Sequence, residues 1–311
     1  MDIVGVILAA GKSKRMNFCK NKIFMPLCGK PIISHIIDNL TNAGITNIII
    51  VCSAQDFDTL HAMHPSCNIC IQEVANGTGG AINACKDAIK NFSYALIING
   101  DGPILCSQFL KHFLSKHNAD LTILTNIIDV HSTNGRIVEK NKKVVSIIEY
   151  KDANKKQKQI TKGNAGVYIF DTKKLLNNLI KLAPNNVQKE LYITDMIDIF
   201  SKQKFSIQTC DMPIDNNYLS VNTMHELNLQ NIKMQKDIIA YHSKNGVYFV
   251  QPNNVYIDCD VQIGFGTVVF GGAQLLGKTI IGQICQIGAN SVLKDCIIPN
   301  NAIVAHGSVV N

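Results

Sequence analysis

Three short stretches carry residue types that could do chemistry. In the opening MDIVGVILAAGKSKRM, an apolar run from Ile3 to Leu8 breaks at Ala9-Ala10-Gly11, and Lys12, Lys14 and Arg15 follow. Cations this close repel, so the loop predicts a negative ligand among them. Small residues at 9–11 let backbone N–H groups approach that ligand, and a helix N-terminus behind the loop favours anions. Lys12 and Arg15 are then candidate clamps for phosphate oxygens, Arg15 through two parallel N–H bonds. A surface turn with solvated lysines is the plain alternative.

The second stretch is Leu96-Ile97-Ile98-Asn99-Gly100-Asp101-Gly102-Pro103. An Asp directly after a buried strand suits Mg²⁺, which takes one or two protein carboxylates and fills its remaining positions with substrate phosphates. Asp101 could instead cap the helix expected near Ser107, but the gap to that helix disfavours capping. The third stretch runs from Gln72 through Gly77-Thr78-Gly79-Gly80. Its glycines permit a tight backbone, and the Gln72 amide could pair with a base edge through two hydrogen bonds. Taken alone, this stretch could also be a plain turn.

These residues need a frame. Ile3–Leu8, Ile48–Cys52, Ile69–Gln72, Tyr94–Ile98 and Leu121–Thr125 are short and apolar, and read as buried parallel strands. Helical patterns at Pro31–Asn42, Gly79–Lys90 and Ser107–His117 alternate with them. The alternation predicts a doubly wound, Rossmann-like α/β sheet, whose ligands bind beyond the carboxyl ends of the strands. Arg136–Glu139 and Val144–Ile148 read as a hairpin around Lys140-Asn141-Lys142, and Val167–Phe170 as a further strand. Lys151–Lys162 is a lysine-rich flap or a solvated linker. A long helix is expected over Met224–His242. From Val255 a six-residue period runs to the end, with Gly or Asn near the corners. It predicts a short left-handed parallel β-helix, three hexads to each triangular coil. The expected division is 1–223 for the α/β domain, 224–245 for a linking helix and 246–311 for the β-helix. Open β-helix edges need protection, so a homotrimer formed through this tail is expected.

Composition narrows the partners. With 311 residues, 46% hydrophobic and 17% charged, the chain is globular, and more than one domain is expected above roughly 250 residues. No apolar run approaches the roughly 20 residues that span a bilayer. Asp2 precedes the first apolar stretch with no basic region, so no signal peptide is read there and a cytoplasmic protein is expected, with no membrane partner. The 11 cysteines are scattered and odd in number, and read as reduced thiols. Cys67 and Cys70 form a lone CxxC without the second ligand pair that zinc requires. The net charge of +7 suits phosphorylated substrates. Nucleic acid is not expected, because the basic residues are dispersed and Trp is absent. Arg15 and Arg136 are the sole arginines. In so lysine-rich a chain, each predicts a need for a planar, forked donor.

In order, VILAAGKSKRM, Lys22 with Pro26 and Gly29-Lys30-Pro31, Gln72 with Gly77-Thr78, and Gly100-Asp101 resemble the sugar-1-phosphate nucleotidyltransferases. Gly135-Arg136-Ile137-Val138, Glu149 with Lys151-Asp152, Asn164 to Phe170, and Glu190-Leu191-Tyr192-Ile193-Thr194-Asp195 look more narrowly like the uridylyltransferase half of the bacterial bifunctional N-acetylglucosamine-1-phosphate uridylyltransferase/glucosamine-1-phosphate acetyltransferase. Ser220-Val221-Asn222 resembles that family's second metal motif. The resemblance covers essentially the whole chain.

It implies transfer of a uridylyl group from UTP to N-acetylglucosamine-1-phosphate, giving UDP-N-acetylglucosamine for the cell envelope, with Mg²⁺ as cofactor. Leu8, Ala9, Ala10, Gly11 and Lys12 would hold the nucleotide. Arg15 and Lys22 would stabilise the transferring phosphates, and Gln72, Gly77 and Thr78 would read uracil. Asn99, Gly100, Gly135, Glu149 and Asn164 would line the sugar site, and Asp101 and Asn222 would bind the metal. Gln72 alone does not separate uracil from thymine, so another sugar or nucleotide stays open, as does a non-catalytic binding scaffold. The loop departs from the family at Ser13 and Lys14, where a second glycine and a threonine are commoner, and Asn99 stands where an aromatic residue is common. The family's β-helix is longer and houses acetyl transfer. Here His306 is the only histidine in the hexads and reads as a corner residue, so acetyltransferase activity is expected to be absent.

Overall fold

The structure, a computed structural model, describes residues 2–11, 16, 21–213, 217–218 and 220–311. In chain order its elements begin with β1 (Ile3–Leu8), β2 (Pro26–Leu27), β3 (Lys30–Pro31), α1 (Ile32–Asn42), β4 (Ile48–Cys52), α2 (Phe57–Met63) and β5 (Asn68–Ile71). There follow α3 (Thr78–Ala84), α4 (Lys86–Ile89), β6 (Tyr94–Asn99), β7 (Ile104–Leu105), α5 (Ser107–Lys116), β8 (Leu121–Ile127), β9 (Arg136–Lys140), β10 (Lys143–Ile148) and β11 (Lys162–Asp171). Next come α6 (Thr172–Asn178), α7 (Asp195–Lys202), β12 (Ile207–Asp211), β13 (Asn217–Tyr218) and α8 (Met224–Lys244), then short strands from β14 (Tyr248–Phe249) to β24 (Val309–Val310). The chain forms two compact units, residues 1–14 with 33–220, and residues 15–32 with 221–311.

The first unit is built on one mixed sheet in the order β10-β9-β11-β6-β1-β4-β5, with β8 pairing β11 and β12. β1 is wholly buried and runs parallel to both β4 and β6. Buried on both faces, such strands read as continuous Ile/Val/Leu runs. The apolar core joins β1, β4 and β6 to Ala81 and Ile82 of α3, and to Met196, Ile197 and Phe200 of α7. Three expectations need correction in detail. β8 is not simply parallel: it runs antiparallel to β11 and parallel to β12. β5 is an edge strand without a fully buried residue. The helix expected over Gly79–Lys90 is broken at Cys85, whose φ of −106° and ψ of 9° end α3 and begin α4. The hairpin turns at Asn141 and Lys142, both with positive φ, and the expected strand at Val167–Phe170 is ten residues long.

In the second unit, α8 opens with a capping box. Thr223 Oγ1 accepts from the Glu226 N–H, and the Glu226 carboxylate accepts from the Thr223 N–H, which satisfies donors that a helix start leaves unpaired. The short strands beyond it stack as three parallel ladders, one for each side of a left-handed β-helix. Ile257, Leu275 and Leu293 stack inside one ladder, and Phe249, Val269 and Ile287 inside another. Gln274 pairs with Val292, eighteen residues on, as three hexads require; Val292 pairs with Val309, so the last coil is one residue short. No helix among the described residues is long and apolar enough to cross a membrane.

Candidate active site

The carboxyl ends of β1, β4 and β6 lie side by side. Leu8 pairs with Asn99, Ala9 donates its N–H to the Val51 carbonyl at 2.7 Å, and Gly100 donates to the Leu8 carbonyl at 2.8 Å. Ala9 is buried, Ala10 half-buried and Gly11 exposed, so the chain surfaces here. Asp101 is half-buried in the turn after β6. Lys12 and Arg15 lie outside the described residues. This edge is where ligands bind in open α/β sheets.

Next to it stands the Gln72 loop. Gln72 follows β5 and donates its N–H to the Cys52 carbonyl at 2.8 Å. Its buried side chain spends Nε2 on two acceptors, Asn76 Oδ1 and the Gly77 carbonyl, each at 3.0 Å. A backbone carbonyl can only accept, so the amide orientation is fixed and Oε1 is the face left over. The expectation that Gln72 offers a base two hydrogen bonds is thereby narrowed to one acceptor. Gly77 has φ of +102°, and a Cβ there would lie 2.6 Å from the Leu191 carbonyl oxygen, so only glycine fits.

Leu191 to Thr194 clasps this loop. Leu191 N–H donates to the Asn76 carbonyl and Gly79 N–H to the Leu191 carbonyl, both at 2.7 Å, and Ile193 N–H donates to Thr78 Oγ1 at 2.9 Å. One residue further, Thr194 donates its hydroxyl to Glu149 Oε1 at 3.1 Å. The same strip of backbone therefore holds the Gln72 loop and aims Glu149. The family resemblance marked the stretch Glu190 to Asp195, but not its role as a clasp, because its bonds are largely main-chain.

Gly135, Glu149 and Asn164 come together. Arg136 pairs with Ile148 across the hairpin, setting Gly135 and Glu149 at one end, and Asn164 N–H donates to the Gly135 carbonyl at 2.9 Å. Asn164 uses its side chain on Tyr168 Oη at 2.7 Å and the Gly166 N–H at 3.0 Å. Burial pushes the Glu149 carboxyl above the usual carboxylate range, against the Thr194 bond, and the charges of Asp152 and Asp195 push it the same way. Burial, then Asp152 and Asp198, raise Asp195 to about 6.

Arg136 was expected to be a forked donor to something. It is fully buried, and its fork holds main chain: Nη1 donates to the Ser132 carbonyl at 2.7 Å and to the Asn134 carbonyl, and Nη2 to the Val130 carbonyl at 2.9 Å. The guanidinium also lies 5.1 Å from the Tyr150 ring centre. It shapes the loop before Gly135.

In the second unit, Lys22 opens a short 3₁₀ turn and donates Nζ to Asn222 Oδ1 at 3.1 Å. Asn222 N–H donates to Glu226 Oε2 at 2.7 Å, so the α8 cap fixes the Asn222 backbone. Asp101 and Asn222 both offer hard oxygen donors of the kind magnesium takes, and the Lys22 bond fixes which end of the Asn222 amide is the oxygen. Among the described residues, no group of three or more His, Cys, Asp or Glu side chains gathers to hold a metal, and Cys67 and Cys70 remain free thiols.

Residues 5–132 match the MobA-like NTP transferase domain family. The chain is 33% identical over 306 residues to the Bifunctional protein GlmU of Geobacillus sp. (strain WCH70), covering 97% of this chain and 67% of that one. It is 36% identical to the protein of the same name from Clostridium tetani (strain Massachusetts / E88), with 96% and 67% covered. Among solved structures, a Bacillus anthracis protein described as a glucose-1-phosphate thymidylyltransferase shares the fold, with a TM-score of 0.61 and 22% identity over 74% of this chain and 94% of that one.

Proposed function

The chain belongs to the family of the Bifunctional protein GlmU and is a sugar-1-phosphate nucleotidyltransferase; we propose that its substrates are UTP and N-acetylglucosamine-1-phosphate. The observation that carries this reading is the locked Gln72 amide, which turns one buried acceptor toward the base and shares a clasp with Glu149. A lone acceptor matches the N3–H of uracil. A half-buried carboxylate with raised proton affinity suits the N–H or O–H donors of an acetamido sugar.

In the reaction, a phosphate oxygen of the sugar phosphate attacks the α-phosphorus of UTP. The new P–O bond forms as the α–β bridge breaks, and pyrophosphate leaves. Alignment and charge neutralisation supply most of the acceleration. The backbone at Leu8, Ala9, Ala10 and Gly11 cradles the nucleotide. Lys12, Arg15 and Lys22 counter the phosphate charge. Gln72, Gly77 and Thr78 read the base, while Asn99, Gly100, Gly135, Glu149 and Asn164 hold the sugar. Asp101 and Asn222 are the proposed magnesium ligands, and a bound Mg²⁺ would supply further neutralisation of the triphosphate. The proposed division is 1–223, 224–245 and 246–311, amended by residues 15–32, which group with 221–311 in the second compact unit; the proposed setting is cytoplasmic.

No acetyl transfer is assigned to these hexads. His306 accepts the Ala289 N–H at Nδ1 (2.7 Å) and packs edge-on against Phe270, as a corner residue does. A homotrimer through the β-helix is supported by the outward Ile280, Ile297, Ile303 and Val309, all exposed in the single chain. A monomer mass in light scattering would remove that assignment. The decisive experiment is incubation with UTP, Mg²⁺ and N-acetylglucosamine-1-phosphate, followed by pyrophosphate detection. UDP-N-acetylglucosamine and pyrophosphate in equal amounts are expected; turnover of a different pair across a substrate panel would overturn the specificity.

A further inference from the structure

The segment that carries Lys22 does not end with that lysine. It continues through β2, turns at Cys28-Gly29 and returns as β3. The tip of this hairpin is fastened at several points within its own unit. Cys28 has φ of 46° and donates its N–H to Asn231 Oδ1 at 3.0 Å. Its carbonyl accepts the Cys259 N–H at 2.9 Å. Lys30 Nζ meets Asp260 Oδ1 at 2.6 Å. Gln235, one helical turn after Asn231, bridges outward: Nε2 donates to the Ile257 carbonyl at 2.6 Å and reaches Cys28 Sγ at 3.1 Å, while Oε1 accepts the Ile257 N–H at 3.0 Å. At Gly29, with φ of +82°, a Cβ would stand 2.2 Å from Asp258 Cγ, so the backbone approaches the first β-helix coil as closely as it can.

Segment 22–30 is thus laid along α8. Lys22 sits at the helix start, on Asn222, and Cys28 sits further along, on Asn231. We propose that Asn231 and Gln235, backed by the first β-helix coil through Asp258 and Asp260, are positioning residues for Lys22. The linking helix and β-helix then serve nucleotidyl transfer as well as assembly. This rests on the reading of Lys22 as a phosphate-contacting residue. None of the fastening residues needs to touch substrate; if Lys22 acts chiefly on charge that develops during transfer, misplacing it lowers kcat more than it weakens binding.

The test uses the full chain, with whichever nucleoside triphosphate and sugar phosphate the wild type turns over, so that a wrong substrate assignment shows in the wild type and a wrong positioning assignment in the variants. Asn231→Ala removes the acceptor for the Cys28 N–H; Asn231→Asp keeps an oxygen there. For Asn231→Ala we expect faster hydrogen exchange at the Cys28 amide and a kcat roughly ten- to a hundredfold lower, the scale at which a displaced catalytic group is felt. Both KM values should stay within about twofold and the melting temperature near wild type. Asn231→Asp should restore most of the turnover. Faster exchange with unchanged kcat, or lost turnover that tracks unfolding and is not restored by Asp, would overturn the proposal, as would exchange that does not change.

Discussion

Exchanging uracil for cytosine probes the Gln72 loop most directly. Nε2 of Gln72 gives both its protons to Asn76 Oδ1 and the Gly77 carbonyl. Only Oε1 is available to a base, on a side chain whose residue is 8% exposed. In the proposed pose, uracil would bring an N3–H to that acceptor. Cytosine brings a lone pair. UTP therefore gains a neutral hydrogen bond worth about 0.5–1.5 kcal/mol, and CTP leaves a buried acceptor unsatisfied at about 1–3 kcal/mol. Together these give roughly 1.5–4.5 kcal/mol, or about 10- to 1,600-fold in kcat/KM at 1.4 kcal/mol per decade. Gln72 cannot flip its amide to serve cytosine, because Oε1 would then face the Gly77 carbonyl. Initial rates of pyrophosphate release with UTP, dTTP and CTP at one sugar-phosphate concentration give the ratios. Thymine carries the same N3–H, so dTTP should fall on the UTP side of the gap. CTP turnover within about threefold of UTP would refute the reasoning.

Three further outcomes follow from the same geometry. Gly77→Ala puts a Cβ 2.6 Å from the Leu191 carbonyl oxygen at a φ of +102°; strain of about 1–3 kcal/mol plus the displaced clasp should lower the melting temperature by several degrees and raise KM for UTP, as thermal melts and initial rates would register. Arg136→Lys keeps the charge but loses the fork that holds three carbonyls of the loop before Gly135, so KM for the sugar phosphate should rise several-fold while UTP affinity by calorimetry stays put. Asp195 titrates near 6 in the fold against 3.8 when unfolded, so the folded form binds the extra proton. Stability from this group is fully present below pH 3.8 and lost as pH rises through 6, by up to ~3 kcal/mol; Asp195→Asn should remove that slope in denaturant midpoints measured from pH 4 to 7.

What the sequence revealed and what it hid divide along physical lines. The β-helix was legible because three hexads close one coil and each coil repeats the inward Ile, Leu or Val; the single-residue shortening between Val292 and Val309 lies below the resolution of that period. The hairpin at 136–148 was legible from its alternation and its Asn141-Lys142 turn. The direction of β8 was not, since a buried apolar run looks the same beside parallel and antiparallel neighbours. The break at Cys85 lies inside an unbroken helical pattern and depends on packing. The rarity of arginine pointed correctly to a forked donor at Arg136, but nothing in residue type says whether the fork meets a ligand or main-chain carbonyls. The stretch Glu190 to Asp195 was marked by resemblance, but its role as a clasp from Leu191 to Thr194 was not legible for a related reason: backbone N–H and C=O groups are present at almost every position, and only the fold decides where they go.

One arrangement looks contradictory until the charges are separated. A chain of net charge +7 that handles anions places Glu149, Asp152 and Asp195 near one another, with proton affinity raised at Glu149 and Asp195. A sugar phosphate, however, is not uniformly negative. Its ring presents O–H and N–H donors, and its phosphate carries the charge. If the sugar binds where proposed, ionised carboxylates around Gly135 and Asn164 would attract the donor face and repel the phosphate. On the proposed assignment, the phosphate would thereby be turned away from these carboxylates. Burial leaves the field of an ionised carboxylate less screened, while the same burial raises the proton affinity of Glu149 and Asp195, so both effects act above the pH at which these groups ionise. The Thr194 hydroxyl keeps Glu149 aimed while its donor opposes full protonation. Orientation by repulsion at one end and attraction at the other distinguishes the two ends of the substrate without a specific contact to every oxygen. The strip of backbone that fixes the base loop also fixes Glu149; on the proposed reading it would hold base and sugar in one register, as in-line displacement requires.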